Sequence, residues 1–137
     1  MTRQTERWRR CSKGQSLVEF ALSSVLFFSL VFGIIQFGRA IWQYNTVSNL
    51  AQEGARWASV HGSSSATPAT AAQLQTFVES RSVGIPVTVT ATPANPSGVA
   101  PGSTITVRVQ SSFNAAVGLI PSATLNLEST AKMIVAR

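Results

Sequence analysis

The sequence is short of the residue types on which most enzyme and metal sites depend. Its 137 residues include no aspartate, one cysteine (Cys11) and one histidine (His61). Without aspartate there is no Ser–His–Asp triad, and one histidine with one cysteine is too small a set for a typical zinc site. No glycine-rich phosphate loop is present. We therefore expect no enzyme activity, no cofactor, no metal and no small-molecule substrate, and a lone cysteine excludes an intrachain disulfide.

Charged residues make up only 12% of the chain, and the positive excess is unevenly placed. The formal net charge is +6, but much of it lies in residues 1–14, where Glu6 is the only acid. The rest of the chain is nearly balanced and has no basic face with interleaved aromatic residues, so nucleic acid is not an expected partner. The leading basic residues are Arg3, Arg7, Arg9, Arg10 and Lys13.

An uncharged apolar run occupies residues 20–38. A helix rises about 1.5 Å per residue, so roughly 20 apolar residues cross a bilayer core of about 30 Å. The apolar residues surround the helix instead of forming one stripe, which favours a transmembrane helix in contact with lipid over a buried helix of a soluble protein. Because basic residues precede the run, we expect a cytoplasmic N-terminus and an extracytoplasmic C-terminal part.

A secretory signal peptide is an alternative interpretation of the same run. Gly38, Arg39 and Ala40 offer small residues at a suitable spacing, and cleavage after Ala40 would release a secreted domain. The run is long for a signal peptide, however, and helical patterning continues past it. These two features favour a retained membrane span.

Beyond Arg39 an amphipathic pattern predicts that one helix extends from about Ser16 to about Val60. Glu53 and Arg56 are three residues apart and are expected to pair on its surface, with either solvent or a partner subunit beside them. His61 is expected to cap carbonyl groups at the helix end. The predicted apolar stripe consists of Ala40, Ile41, Tyr44, Val47, Ala51, Ala55 and Ala58.

The C-terminal part predicts a short helix and three strands. Thr70 and Gln73 match a capping box, and the helix after them presents Leu74, Phe77 and Val78 on one face. Residues 87–91 and 104–109 alternate between apolar and polar, with Ile105, Val107 and Val109 inward, and residues 114–122 form a connection. Glu79 and Glu128 are expected to be isolated, solvated charges. The closing strand carries Leu125, Leu127, Ala131, Met133 and Val135 on one face.

These elements predict an α+β fold in which a long transmembrane and amphipathic helix packs with a short helix and a small antiparallel three-stranded sheet. The predicted organisation is a basic leader at 1–14 and a long helix at 15–61, with the span at about 20–38. A linker at 62–70 and an extracytoplasmic domain at 71–137 follow.

The junction between leader and span reads KGQSLVEF, residues 13–20. Glu19 lies at the edge of the apolar run, where a carboxylate is costly unless it is paired or among headgroups. A helix N-terminus also favours an acid. Both a paired and a merely interfacial Glu19 fit the residues.

At this point the chain resembles the TadE-like pseudopilins of tight-adherence (Flp-type) pilus systems. The segment GQSLVEF is similar to the processing site of type IV prepilins, and residues 33–40 (GIIQFGRA) and 51–58 (AQEGARWA) are similar to the rest of the family signature. The family's early proline is replaced here by Ser23 and Ser24. The resemblance covers about residues 14–62. Its signature residues are Gly38, Arg39, Glu53, Gly54 and Arg56.

The resemblance implies a structural or assembly component of a type IV (tight-adherence) pilus or related secretion apparatus, in the bacterial cytoplasmic membrane. A prepilin peptidase would cut between Gly14 and Gln15, and Glu19 and Phe20 would take part in subunit assembly. The implied partners are membrane lipid, that peptidase, other pilin-like subunits and the pilus assembly machinery. The alternative is an uncleaved, single-pass membrane-anchored binding module.

Overall fold

The computed structural model describes residues 5–115 and 123–136, which form two α-helices and one three-stranded sheet. This confirms the predicted α+β fold. The chain divides into two units, Met1–Phe37 and Gly38–Arg137. Residues 1–4 of the predicted leader and 116–122 of the predicted second connection lie outside the described residues.

Helix α1 spans Thr5–Val60. It ends where the sequence predicted, but the predicted start near Ser16 was wrong, because the helix continues through Gly14 toward the N-terminus. Arginine, lysine, glutamine and glutamate, which are common in residues 5–15, are good helix formers. Their preference outweighs the single glycine, which lowers helix stability by about 1 kcal/mol.

Within the first unit, the apolar side chains of α1 point outward on all sides. The segment Gly14–Val60 contains an 18-residue window with a mean hydropathy of 2.2, and none of that window is buried. By length and composition it is the one candidate membrane span among the described residues. An apolar helix of this kind suggests a membrane anchor.

Helix α2 spans Ala71–Arg81 and begins at the predicted capping box. The Gln73 amide N donates to Thr70 Oγ1 at 3.4 Å, and the Thr70 amide N donates to Gln73 Oε1 at 2.9 Å. Leu74 and Val78 are buried, and Phe77 packs against the same core. The predicted apolar face of this helix is therefore confirmed.

The sheet consists of β1 (Thr88–Thr92), β2 (Thr104–Ala115) and β3 (Ala123–Ile134), in the order β1-β2-β3 with both pairs antiparallel. Strand β1 is displaced by one residue from the predicted range. Strand β2 runs beyond the predicted end at 109 because its inward positions continue through Ser111 and Phe113, both of which are buried.

The core of the second unit lies between the helices and the inner face of the sheet. Ile105, Val107 and Val109 are fully buried, as predicted. Alanine side chains on α1 are short, so the helix can lie close to these strands. The α1 residues in this core are Val47, Leu50, Ala51, Ala55 and Ala58.

Two parts of the predicted apolar pattern are wrong. Ile41 and Tyr44 are exposed, because α1 meets the core only from Val47 onward. Leu125 is also exposed, whereas Val135 at the other end of the same pattern is buried. Strand β3 is an edge strand, so its side chains receive less cover than those of β2.

Candidate functional site

The segment 14–20 lies inside α1, with its side chains exposed. A Cβ atom placed on Gly14 would have no heavy atom within 4 Å outside its own helix backbone and neighbours. The peptide bond between Gly14 and Gln15 is therefore not shielded by packing from the described residues. It is held in a helical conformation, so a peptidase acting there must first open the helix locally.

Glu19 and Phe20 also point away from their own helix. Both are exposed, and within the described part of the chain Glu19 makes no hydrogen bond or ion pair. A shallow groove of about 360 Å³ lies beside Phe20 and is lined by Ser23, Ser24, Phe27 and Phe28. This surface is available to lipid or to another helix, and the carboxylate is available to a partner.

Arg39 lies against the sheet of the second unit. Its guanidinium carbon is 5.9 Å from the centroid of the Phe113 ring, within the range of a cation–π interaction. One turn further, Gln43 Nε2 donates to Ser111 Oγ at 2.8 Å and to the carbonyl of Ser112 at 3.2 Å. Arg39 and Gln43 thus fix α1 to the far end of β2.

Gly38, by contrast, shows no packing requirement. A Cβ atom there would meet nothing within 4 Å. The structure gives no physical account of this signature glycine.

Glu53 forms a salt bridge with Arg81, not with Arg56 as the spacing predicted. Arg81 Nη1 is 3.1 Å from Glu53 Oε2, and both side chains are about half exposed. The last turn of α2 brings Arg81 to this position, which a pattern within α1 alone does not reveal. Arg56 is exposed and forms no ion pair among the described residues.

Gly54 is the closest packing point of α1. A Cβ atom on it would lie 3.1 Å from Val78 Cγ2, 3.4 Å from Val107 Cγ1 and 3.7 Å from Leu74 Cδ1. Glycine at this position lets α2 and β2 both approach α1. Sequence reasoning singled out Gly54 as a signature residue, but it did not find this role.

A stack of rings connects the end of α1 with α2. The Trp57 ring lies between His61, with centroids 4.2 Å apart, and Phe77, with centroids 5.1 Å apart. The Arg81 guanidinium lies 5.0 Å from the Phe77 centroid. His61 Nδ1 is 2.7 Å from the carbonyl oxygen of Trp57, which confirms its predicted capping role.

The signals for this stack were present in the sequence. Trp57 and His61 are four residues apart, as are Phe77 and Arg81, and helical residues at that spacing are neighbours. A shallow groove of about 480 Å³ follows the stack. It is lined by Glu53, Arg56, Trp57, Val60, Phe77 and Arg81.

The two acids predicted to be isolated both have partners. Glu79 accepts a hydrogen bond from Gln75. Glu128 lies opposite Gln110 in the sheet, accepts a hydrogen bond from its amide at 2.8 Å and is 3.7 Å from Arg108. The cross-strand register, which the sequence did not specify, creates these pairs. No cluster of three potential metal ligands occurs among the described residues.

The family model for TadE-like protein matches residues 14–56. This confirms the resemblance predicted from the sequence. The match contains Gly14, Glu19, Arg39, Glu53 and Arg56 and ends before α2 and the sheet. No curated protein matches the chain, and no solved structure matches it.

Proposed function

We propose that this chain is a TadE-like pilin or pseudopilin, a structural or assembly component of a tight-adherence pilus or related secretion apparatus. The TadE-like match over residues 14–56 carries this proposal, and it implies a pseudopilin-like protein associated with such a pilus. The family is a structural, pilus-related one and is not known to be enzymatic. The uncovered apolar surface of α1 supports the proposal, because a membrane-inserted subunit needs such a surface.

The first proposed step is insertion and processing. The chain inserts in the cytoplasmic membrane with its basic leader inside and its sheet outside. A prepilin peptidase then cuts between Gly14 and Gln15. This cut removes five of the 11 basic residues together with Cys11, and it frees the amine of Gln15.

The second proposed step is lateral assembly through α1. Glu19 has no partner within the described part of its own chain, and it lies at the edge of an apolar surface. In a bundle of such helices it would pair with the free amine of Gln15 from a neighbouring subunit. Leaving one member of a buried ion pair unmatched costs about 3–5 kcal/mol, so this pair can fix the register between subunits.

Intact mass of the protein recovered from native membranes and from sheared surface material tests the processing step. We expect a chain that begins at Gln15. A chain that retains residues 1–14 would contradict the proposal and favour the uncleaved, membrane-anchored binding module. Gly14→Val should abolish processing, whereas the matched variant Gly33→Val, within the span, should be processed normally.

The Glu19→Ala variant tests the assembly step. We expect it to be cut after Gly14 yet to disappear from cross-linked or sheared assemblies. Phe20→Leu, which keeps an apolar side chain beside Glu19, is the control and should retain assembly. A Glu19→Ala protein that is processed and assembles normally would exclude the proposed ion pair.

A further inference from the structure

Exposed large apolar side chains of the second unit concentrate at one end. Ile41, Trp42 and Tyr44 on α1 are each about half exposed. On β3, Leu125 is 52% exposed although Phe113, directly opposite on β2, is only 4% exposed. The remaining exposed large apolar residues described in this unit are scattered over other elements. They are Val60, Val83 and Ile134.

Contacts within the unit place the two parts of this apolar end side by side. Arg39 lies over the Phe113 ring, and Phe113 is the cross-strand neighbour of Leu125. Gln43 is hydrogen-bonded to Ser111 on the same strand. The ends of β2 and β3 therefore lie beside the first turns of α1 that follow Gly38. We call the residues Arg39, Ile41, Trp42, Tyr44, Phe113 and Leu125 the Arg39 end.

The helix itself gives the height of this end above the apolar run. At about 1.5 Å per residue, residues 39–44 lie about 1.5–9 Å beyond Gly38, the last residue of that run. The headgroup layer on each side of a bilayer is about 5–8 Å thick. The residues of β2 that Arg39 and Gln43 contact consequently fall at headgroup depth when the bilayer core ends at Gly38.

The composition of the Arg39 end fits that layer. Trp and Tyr are enriched at the membrane–water interface, where the ring is partly in the apolar region and its polar atom is hydrated. Arginine matches the geometry of lipid phosphate. Residues 38–47, 111–115 and 124–127 contain no acid that would repel phosphate.

From these observations we propose that the Arg39 end is a phospholipid-binding surface, which holds the ends of β2 and β3 against the headgroups. The proposal goes beyond the pilus function. It rests on the membrane anchor and not on processing or assembly. The ends of the sheet would then be in contact with lipid, whereas α2 and its loop to β1 would face water.

Site-directed spin labelling of the full chain in phospholipid nanodiscs tests this surface. The only native thiol is removed by Cys11→Ser, and single nitroxide labels are attached to Leu125→Cys, Val83→Cys or Leu26→Cys. All three native side chains are exposed, with Val83 and Leu26 each 76% exposed, so the labels should not disturb packing. Collisions with oxygen, which enters lipid, are compared with collisions with a nickel chelate, which stays in water.

We expect the oxygen-to-nickel collision ratio at position 125 to be several-fold higher than at position 83 and below that at position 26. Equal ratios at 125 and 83, with a lipid ratio at 26, would overturn the proposal while leaving the anchor intact. An aqueous ratio at 26 would overturn both. Retention of residues 1–14 on the native protein would contradict the pilus function but would not change these ratios.

Discussion

Two stretches of the same helix, residues 17–37 and 47–58 of α1, solve opposite packing problems. In the first, phenylalanine, leucine, isoleucine and valine side chains are more than half exposed almost throughout. In the second, the inward positions are mainly alanine and glycine, and they are buried. Large apolar side chains around a helix require an apolar surrounding, whereas small ones allow a sheet to lie close.

The difference teaches which part of the protein is folded by its own chain. The core around Val107 is closed by residues of the second unit alone. The apolar surface from Leu17 to Phe37 has no cover within the described residues and must obtain it from lipid or other helices. Changes in the first stretch should therefore affect insertion and association, and changes in the second should affect folding.

Ile105→Ala should give the largest contrast between the two surroundings. Ile105 is fully buried, and truncation of a buried isoleucine to alanine typically costs 2–5 kcal/mol. Hydrogen exchange of β2 amides, measured by mass spectrometry in nanodiscs, should show this loss of protection. Leu26→Ala removes a similar volume from an exposed position and should leave β2 exchange unchanged; equal losses in both variants would break the comparison.

Gly54→Leu should produce the next largest effect. Even a Cβ atom at this position is 3.1 Å from Val78 and 3.4 Å from Val107, so a leucine side chain forces α2 and β2 away from α1. Overpacking of this kind typically costs about 1–3 kcal/mol, which should be visible as faster exchange in both elements. The matched control, Gly33→Leu, meets nothing within 4 Å and should not change that exchange.

Thr70→Ala should have a smaller, local effect. The hydroxyl of Thr70 accepts the Gln73 amide, and loss of such a cap costs about 1 kcal/mol. Exchange should increase in the first turn of α2 but not in residues 17–37. Thr76→Ala in the middle of the same helix removes a hydroxyl that bonds to the Ala72 carbonyl, and it is expected to leave the first turn protected.

The inward faces of α2 and β2 followed from the sequence because hydrophobic periodicity directly reflects burial. The capping box and the His61 cap were also predictable, since each involves residues at most four positions apart. The partner of Glu53, the packing role of Gly54 and the exposure of Leu125 were not. Each depends on which elements lie beside the residue in three dimensions, and a pattern within one element carries no information on that. For the candidate site, the sequence identified Arg39, Glu53 and Gly54 without their contacts.

The Glu53–Arg81 salt bridge should give the smallest effect, and it distinguishes a contact between helices from a pair within α1. Both side chains are about half exposed, so the coupling energy in a Glu53→Gln, Arg81→Gln double-mutant cycle should be about 0.2–1 kcal/mol and should fall at high salt. Arg81→Gln alone should cost more than Glu53→Gln alone, because Arg81 also lies over Phe77. The cycle is followed by hydrogen exchange at the end of α2. Arg56→Gln is the control and should show no coupling to Glu53→Gln; coupling to Arg56 instead of Arg81 would restore the pairing predicted from the spacing in α1 and would remove the electrostatic link between the two helices.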